Sequence, residues 1–268
     1  MELYTPFFLK EFLKINCIII LGDTYMNAIE LMKQRHSVRT YNNMLLNDDE
    51  IKKINDKIIE INECAKLHIQ LITNNETCFN GIKATYGKFK GVMNYIALIG
   101  NADDIYLEEK CGFYGELLVM EAIKMNLATC WVGMTCNKKS VQCLINDDEK
   151  LIMVIAIGHA DKMGIAHKSK SIEELSNVHC GMPLFFKLGM EAVMLAPTAM
   201  NQQKFKFNVI GNKVIISTKS GFYVKTDLGI AVCHFMLGAS MNEEKYEIEN
   251  LYFLERGTYE SFVSEWKS

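Results

Sequence analysis

GFYGELLVMEAIKMN, residues 112–126, is apolar nearly all round, the pattern of a helix buried in the centre of a domain rather than lying on its surface. It leads into Ala128-Thr129-Cys130-Trp131-Val132-Gly133, read as a turn into a short strand. Upstream, residues 95–99 (YIALI) form a short continuous apolar run, as a buried strand does. Downstream, an acidic cap at Asp147-Asp148 precedes residues 151–157 (LIMVIAI), a second buried strand closing at Gly158. Helices and strands alternate around one apolar helix, which predicts an α+β or α/β domain.

Outward from that centre the periodicity continues. Ile51, Ile54, Ile58 and Ile61 recur at helical spacing after Asn47-Asp48-Asp49-Glu50, and Asn with Glu three positions later is a capping box, so a helix is expected from about 48 to 62. Residues 67–71 (LHIQL) alternate and read as a strand. A short amphipathic helix runs from Met26 to Gln34. After residue 175 the pattern restarts. A helix is expected over residues 185–195, then a hairpin from Phe205, Phe207 and Val209 through Gly211-Asn212 to Val214-Ile215-Ile216, with a type II′ turn. Asp227 is read as capping a helix over residues 228–241, and residues 251–254 (LYFL) as a late strand. The second half repeats the helix–strand–apolar-helix–strand order of the first. The expected organisation is residues 1–25 as a non-native or peripheral extension, 26–175 as the first half and 176–268 as a shorter second half.

Composition narrows the function. The 268 residues carry 29 Lys+Arg and 32 Asp+Glu, a net charge of −3, with 49% hydrophobic residues. Mean hydropathy is +0.03 and the pI about 6.1. This is a soluble globular composition, and it gives no electrostatic reason for nucleic acid as a partner. No apolar run approaches the roughly 18 residues that span a bilayer. The nine cysteines are scattered without a C-x-x-C pair, and the six histidines show no metal-ligand spacing. Reduced cysteines in a cytoplasmic interior, with no metal site, are the expectation.

The segment Arg35-His36-Ser37-Val38-Arg39 follows a helix end. If extended, it projects residues 35, 37 and 39 to one face. Two guanidiniums and a hydroxyl there make a cradle for a phosphate dianion, although a solvated basic helix end would use the same residues. Ala196-Pro197-Thr198-Ala199-Met200-Asn201-Gln202-Gln203 places small, hydroxyl and amide residues between a helix and a strand, where donors could converge on a planar polar ligand or simply bind the loop to itself. Thr129-Cys130-Trp131-Val132-Gly133 either lets a flat ring approach the backbone at Gly133 or anchors the core through its Trp.

In order, RHSVRTY, GELLVMEAIKMNLATCWVGM, VIAIGHAD and LAPTAMNQQKFKF resemble the FMN-dependent nitroreductase family, most closely a branch in which one chain carries two nitroreductase-like halves. The resemblance implies a nitroreductase-like α+β fold of two pseudo-repeated halves, each a sheet packed with helices around a central apolar helix. It implies FMN as cofactor and NAD(P)H as electron donor. Arg35, Ser37 and Arg39, with His36 adjacent, correspond to the residues holding the FMN phosphate and ribityl chain. Pro197, Thr198, Ala199 and Asn201 correspond to the loop flanking the isoalloxazine, and Trp131, Val132 and Gly133 to residues near its other side. Lys168 and Lys170 match a second basic arm towards the phosphate more loosely. Lys204 departs from the proline common there.

In the first half, Asn62-Glu63-Cys64-Ala65-Lys66 stands where the proline loop would be; the second half opens on Phe185-Phe186-Lys187-Leu188, without R-x-S-x-R. One flavin site per chain, formed between its halves, is therefore expected, in a monomer or weak homodimer. Arg39, furthest along the cradle, is assigned to the flavin N1/O2 region. The implied activity is ping-pong hydride transfer through flavin N5 to an electron-poor small molecule such as a nitroaromatic or quinone. A flavin-binding storage or sensing protein without turnover, a degenerate relative that has lost flavin, and flavin-ring or dehalogenation chemistry are the rival readings.

Overall fold

The computed structural model describes residues 28–80, 82–179, 181–210, 213–241 and 251–254. Along the chain these form α1 (Ala28–Gln34), β1 (Thr40–Tyr41), α2 (Asp48–Ala65), β2 (Gln70–Ile72), α3 (Ile82–Tyr86), β3 (Asn94–Asn101), α4 (Leu107–Lys124), β4 (Ala128–Val132), β5 (Glu149–Gly158) and β6 (Ala160–Lys162). Then follow α5 (Ile172–Leu175), α6 (Leu184–Val193), β7 (Phe205–Ile210), β8 (Lys213–Thr218), α7 (Val224–Ala239) and β9 (Leu251–Leu254). The chain makes two compact units, Glu30–His167 and one that holds Lys168 onward. Residues 1–25 and the Gly211-Asn212 turn lie outside the described residues. Among the described residues, no helix is long and apolar enough to cross a membrane.

The first unit is built on an antiparallel sheet in the order β2-β3-β5-β4. Its middle strands are buried on both faces: residues 95–99 on β3 and 154–157 on β5 are entirely inaccessible. The central helix α4 packs on β3, β4 and β5 from one side, with α2 against it. The expected capping box is present: the Asn47 side chain accepts from Glu50 N at 2.9 Å and Glu50 returns to Asn47 N at 2.8 Å. Ile54, Ile58 and Ile61 form the buried stripe of α2, and the helix closes at Lys66 in the left-handed region, φ 55°. Residues 62–65 are thus the last turn of that helix, where Asn62 clamps both backbone groups of Ile69.

Some boundaries differ from the sequence reading. The strand expected over residues 67–71 is confined to Gln70–Ile72, and Leu67 makes only an isolated bridge to Gly100. Helix α4 starts earlier than Gly112, at Leu107, because its polar first turn is drawn inside: Lys110 Nζ donates to Asp104 Oδ2 at 2.7 Å and to the Ala65 carbonyl at 3.3 Å. Asp147 and Asp148 cap no helix; they form a turn, with Asp148 accepting from Asn101 and Ala102 across from β3.

In the second unit, Ser171 and Glu174 make a capping box for α5. Strands β7 and β8 form the expected hairpin, and β9 joins β8 in parallel, in the order β7-β8-β9. Phe186 on α6, Phe207 on β7 and Phe235 on α7 pack together, with Phe207 and Phe235 stacked at 5.2 Å. Helices α6 and α7 approach closely where they carry glycine. A Cβ on Gly238 would lie 2.5 Å from the Leu188 carbonyl oxygen, and one on Gly189 would lie 2.5 Å from the Phe235 ring. Helix α6 stops at Val193 instead of residue 195, and α7 begins at Val224. Asp227 is therefore not its cap. Tyr223 holds that position at φ 56°, and Asp227 lies in the first turn with its carboxylate turned to the loop at residue 199.

Candidate functional site

In the first unit, α1 ends at Gln34 and the next residues extend along the outer edge of β4. Ser37 bridges Thr129 in parallel, and Val38 N donates to the Thr129 carbonyl at 3.0 Å. β4 is the last strand of its sheet, so this pairing supplies a partner for an edge that would otherwise be bare. The extended conformation sends Val38 into the core, 1% exposed. Its neighbours share a common surrounding. Cys130 Sγ feels the charges of both Arg39 and Arg35 and is hydrogen-bonded to the Ser37 hydroxyl. Arg35, Ser37 and Arg39 all act on Cys130 beside β4. His36 is half-buried, and its Cβ marks one wall of the space into which Gly164 fits.

These three residues differ in environment. Arg35 is 5% exposed and its buried Nε has no hydrogen-bond partner. Burial draws its guanidinium below the ordinary range, opposed chiefly by the negative charge of Glu116. Arg39 is exposed, and its charge also reaches the buried Tyr41. Burial pushes the Cys130 thiol up, outweighing the two arginines and the Ser37 bond, so it stays protonated and unreactive.

Trp131 lies next along β4, partly buried, with Val132 buried behind it and Gly133 partly buried at the strand's end. The indole Nε1 donates to Glu116 Oε2 on α4 at 2.8 Å. Gly115 makes room for the ring: a Cβ there would lie 2.5 Å from Trp131 Cη2. Glu116, wholly inaccessible, was not singled out by the sequence. Its one outward sign is a carboxylate in the middle of the otherwise apolar stretch from Gly112 to Met120.

The remaining expected residues lie in the second unit, tied into one knot. Pro197 is buried, and Thr198 and Ala199 are partly so. Residues 199–201 make a single 3-10 turn, and Met200, Asn201 and Gln203 all take positive φ, 51°, 54° and 44°. Such backbone in non-glycine residues persists only where surroundings hold it, and here they do. Asn201 Nδ2 and Gln203 Nε2 both donate to the Lys168 carbonyl, at 2.8 and 3.0 Å. The Gln203 side chain accepts from Lys170 N at 2.8 Å, and Gln203 N donates to Thr198 Oγ1 at 3.2 Å. Lys170 Nζ donates to the carbonyls of Gln202 and Gln203, at 3.1 and 2.8 Å. Lys168 and Lys170 are thus brought together with the loop, Lys168 through its backbone and Lys170 through its ammonium.

Asp227 completes the knot. Its carboxylate accepts from Ala199 N at 2.9 Å and from Gln202 Nε2 at 2.7 Å. Both bonds favour the charged form, yet burial outweighs them and raises its pKa to about 6. The loop was read either as a set of donors to a ligand or as bound to itself, and its glutamines do the second. Lys204 Nζ donates to the Ser220 carbonyl at 3.0 Å.

Comparison with known proteins agrees with this architecture. The family described as "Putative TM nitroreductase" matches residues 27–239. A solved structure of a putative nitroreductase from Thermotoga maritima MSB8 is similar over 82% of this chain and 87% of its own, with a TM-score of 0.59 and 21% identity. A nitroreductase with bound FMN from Desulfitobacterium hafniense DCB-2 matches over 58% of this chain and 100% of its own, with a TM-score of 0.47 and 14% identity. No curated protein matches the sequence.

Proposed function

Because the chain belongs to this nitroreductase family, its match spanning residues 27–239, we propose that it is an FMN-dependent oxidoreductase drawing electrons from NAD(P)H. The observation that carries the reading is that Arg35, Ser37 and Arg39 all act on Cys130 beside β4, with a buried Arg35 Nε that lacks a partner. A buried, unpaired cationic donor is costly unless an anion reaches it. The phosphate of FMN, with oxygens for guanidinium and hydroxyl donors together, fits that requirement.

In this reading Arg35 holds the phosphate from within, Ser37 donates its hydroxyl, and Arg39 extends towards the N1/O2 region, where its fixed charge favours the reduced ring. Trp131, Val132 and Gly133 border the ring. The residues at 197–201 are assigned to the ring by resemblance alone; their left-handed turn is held by its own side-chain bonds. The second unit is read as a pseudo-repeat of the first. The chemistry FMN supplies when bound is hydride acceptance from NAD(P)H and donation to an electron-poor nitroaromatic or quinone, in ping-pong order.

A spectrum of the purified protein after addition of FMN, followed by anaerobic NAD(P)H, tests this. Flavin absorbance that bleaches with NAD(P)H and returns with acceptor is expected; a protein that takes up no FMN overturns the reading. Arg35→Ala combined with Arg39→Ala is expected to weaken FMN binding severely, since each charged hydrogen bond contributes about 1.5–3 kcal/mol. Fluorescence titration measures it, and an unchanged Kd would remove both arginines from the site.

A further inference from the structure

Residues 141–148 carry the chain from the 3-10 turn Lys138–Ser140 to β5 and meet the edge strand β2 on the way. Leu144 and Ile145 are 76% and 46% exposed, so burial does little to hold this strap in place; hydrogen bonds do. The Gln70 side chain takes both backbone groups of Leu144. Leu144 N donates to Gln70 Oε1 at 2.9 Å, and Gln70 Nε2 donates to the Leu144 carbonyl at 2.7 Å. Nearer β5, Asn146 N donates to Glu149 Oε2 at 3.0 Å, and the same oxygen lies 2.8 Å from His68 Nδ1. His68 Nε2 in turn lies 3.2 Å from Gln70 Nε2.

These contacts fix the protons. A backbone N–H can only donate, so Gln70 turns its oxygen to Leu144 N and its NH2 group to the Leu144 carbonyl and His68 together. An NH2 group facing Nε2 needs a lone pair there, so the imidazole is neutral, with its proton on Nδ1 and donated to Glu149. Protonation at Nε2 sets two donors face to face. A half-turn of the Gln70 amide would let its oxygen accept from the imidazolium. The same half-turn sets N–H against Leu144 N–H and leaves the Leu144 carbonyl facing an oxygen. One carboxamide cannot serve both neighbours.

We propose that His68, Gln70 and Leu144 form a pH-sensitive latch: neutral His68 leaves Gln70 clasping the strap, and protonated His68 releases it at Leu144. Histidine is the side chain that ordinarily changes charge between about pH 5 and 8. Glu149, on β5, is the ionisable group in contact with the imidazole. Burial pulls its pKa up, but the bonds from Asn146 N and His68 outweigh that and hold it below the ordinary carboxylate range, so it stays charged and favours the imidazolium. Lys66, before His68 in the chain, is exposed, as are Asp147 and Asp148 at the strap's exit, where Asp148 Oδ2 accepts from Asn101. Release frees the middle of the strap alone: Gln142 N, donating to the Tyr95 hydroxyl at 3.0 Å, and Asn146 N keep its ends. The latch is independent of the flavin reading.

Hydrogen exchange of the full chain, read by mass spectrometry and corrected for the intrinsic pH dependence of amide exchange, tests it. Protection of a peptide covering residues 141–146 is expected to fall about tenfold between about pH 7.5 and pH 5.5. A peptide covering residues 151–157 of β5 should keep its protection; if it falls in step, the change is global and the latch is overturned. His68→Gln cannot titrate and is expected to hold the strap equally at both pH values. Gln70→Ala lacks the clasp and is expected to exchange fast at both. Wild-type protection that ignores pH, or a fall in His68→Gln as large as the wild type's, overturns the proposal. Should His68→Gln fail to fold, Gln70→Ala decides: strap protection that still responds to pH without the carboxamide overturns the latch, and a flat, low protection sustains it.

Discussion

At the scale of single residues, Asp227 shows how long-range burial redirects a side chain. An aspartate before an apolar run reads locally as a helix cap, yet here it braces a loop far away in sequence, at Ala199 and Gln202. Nothing local encodes that partnership, so it was not legible. Its consequence is measurable. The folded pKa, about 6, lies above the ordinary 3.8, so between these values the folded state holds a proton the unfolded state has lost. Stability therefore falls as pH rises through that window, by about 3 kcal/mol, and stays level above it. Asp227→Asn is expected to flatten the dependence, so that thermal midpoints at pH 4.5 and pH 7 move closer together than in the wild type. A difference as large as the wild type's would assign the titration elsewhere. The extended backbone at Ser37 and Val38 that the cradle reading needs is present, paired to Thr129.

At the scale of elements, helix α2 could be read almost completely, since its cap and its isoleucine stripe are both local patterns. Asn47→Ala removes the reciprocal bonds with Glu50 and is expected to lower stability by about 1 kcal/mol in a denaturant melt. The start of α4 was hidden because its first turn is polar and still buried. Only the fold reveals that Asp104 and the Ala65 carbonyl receive Lys110. Close helix contacts are equally silent in sequence. Gly238→Ala would drive a methyl against the Leu188 carbonyl, so α6 and α7 must part, at a cost of about 1–3 kcal/mol. A Tm equal to wild type would mean that the pair adjusts freely.

At the scale of the whole molecule, the order of apolar helix and strand runs left α+β and α/β both open; the family resemblance chose α+β, and the family match spans residues 27–239. The net charge is −3, so the arginine cradle is a local positive region in a mildly acidic protein and its grip on an anion should weaken with salt. Ligand binding should also register globally. FMN at about a hundred times its Kd adds about 2.7 kcal/mol, which for a chain of this size raises Tm by about 5 °C or more. Differential scanning fluorimetry checks this, and riboflavin at the same concentration should give a smaller rise.

The parallel pairing of β8 with β9 bears on biosynthesis. A hairpin can zip as soon as its turn leaves the ribosome, whereas a parallel neighbour must wait for an intervening helix and a return crossing. Until Leu254 has been translated, the hydrogen-bonding groups of Val214 to Ser217 on that side stay open to any passing strand. Nascent chains stalled or clipped before residue 251 should consequently be the species that clump, while full-length chains made under the same conditions remain dispersed.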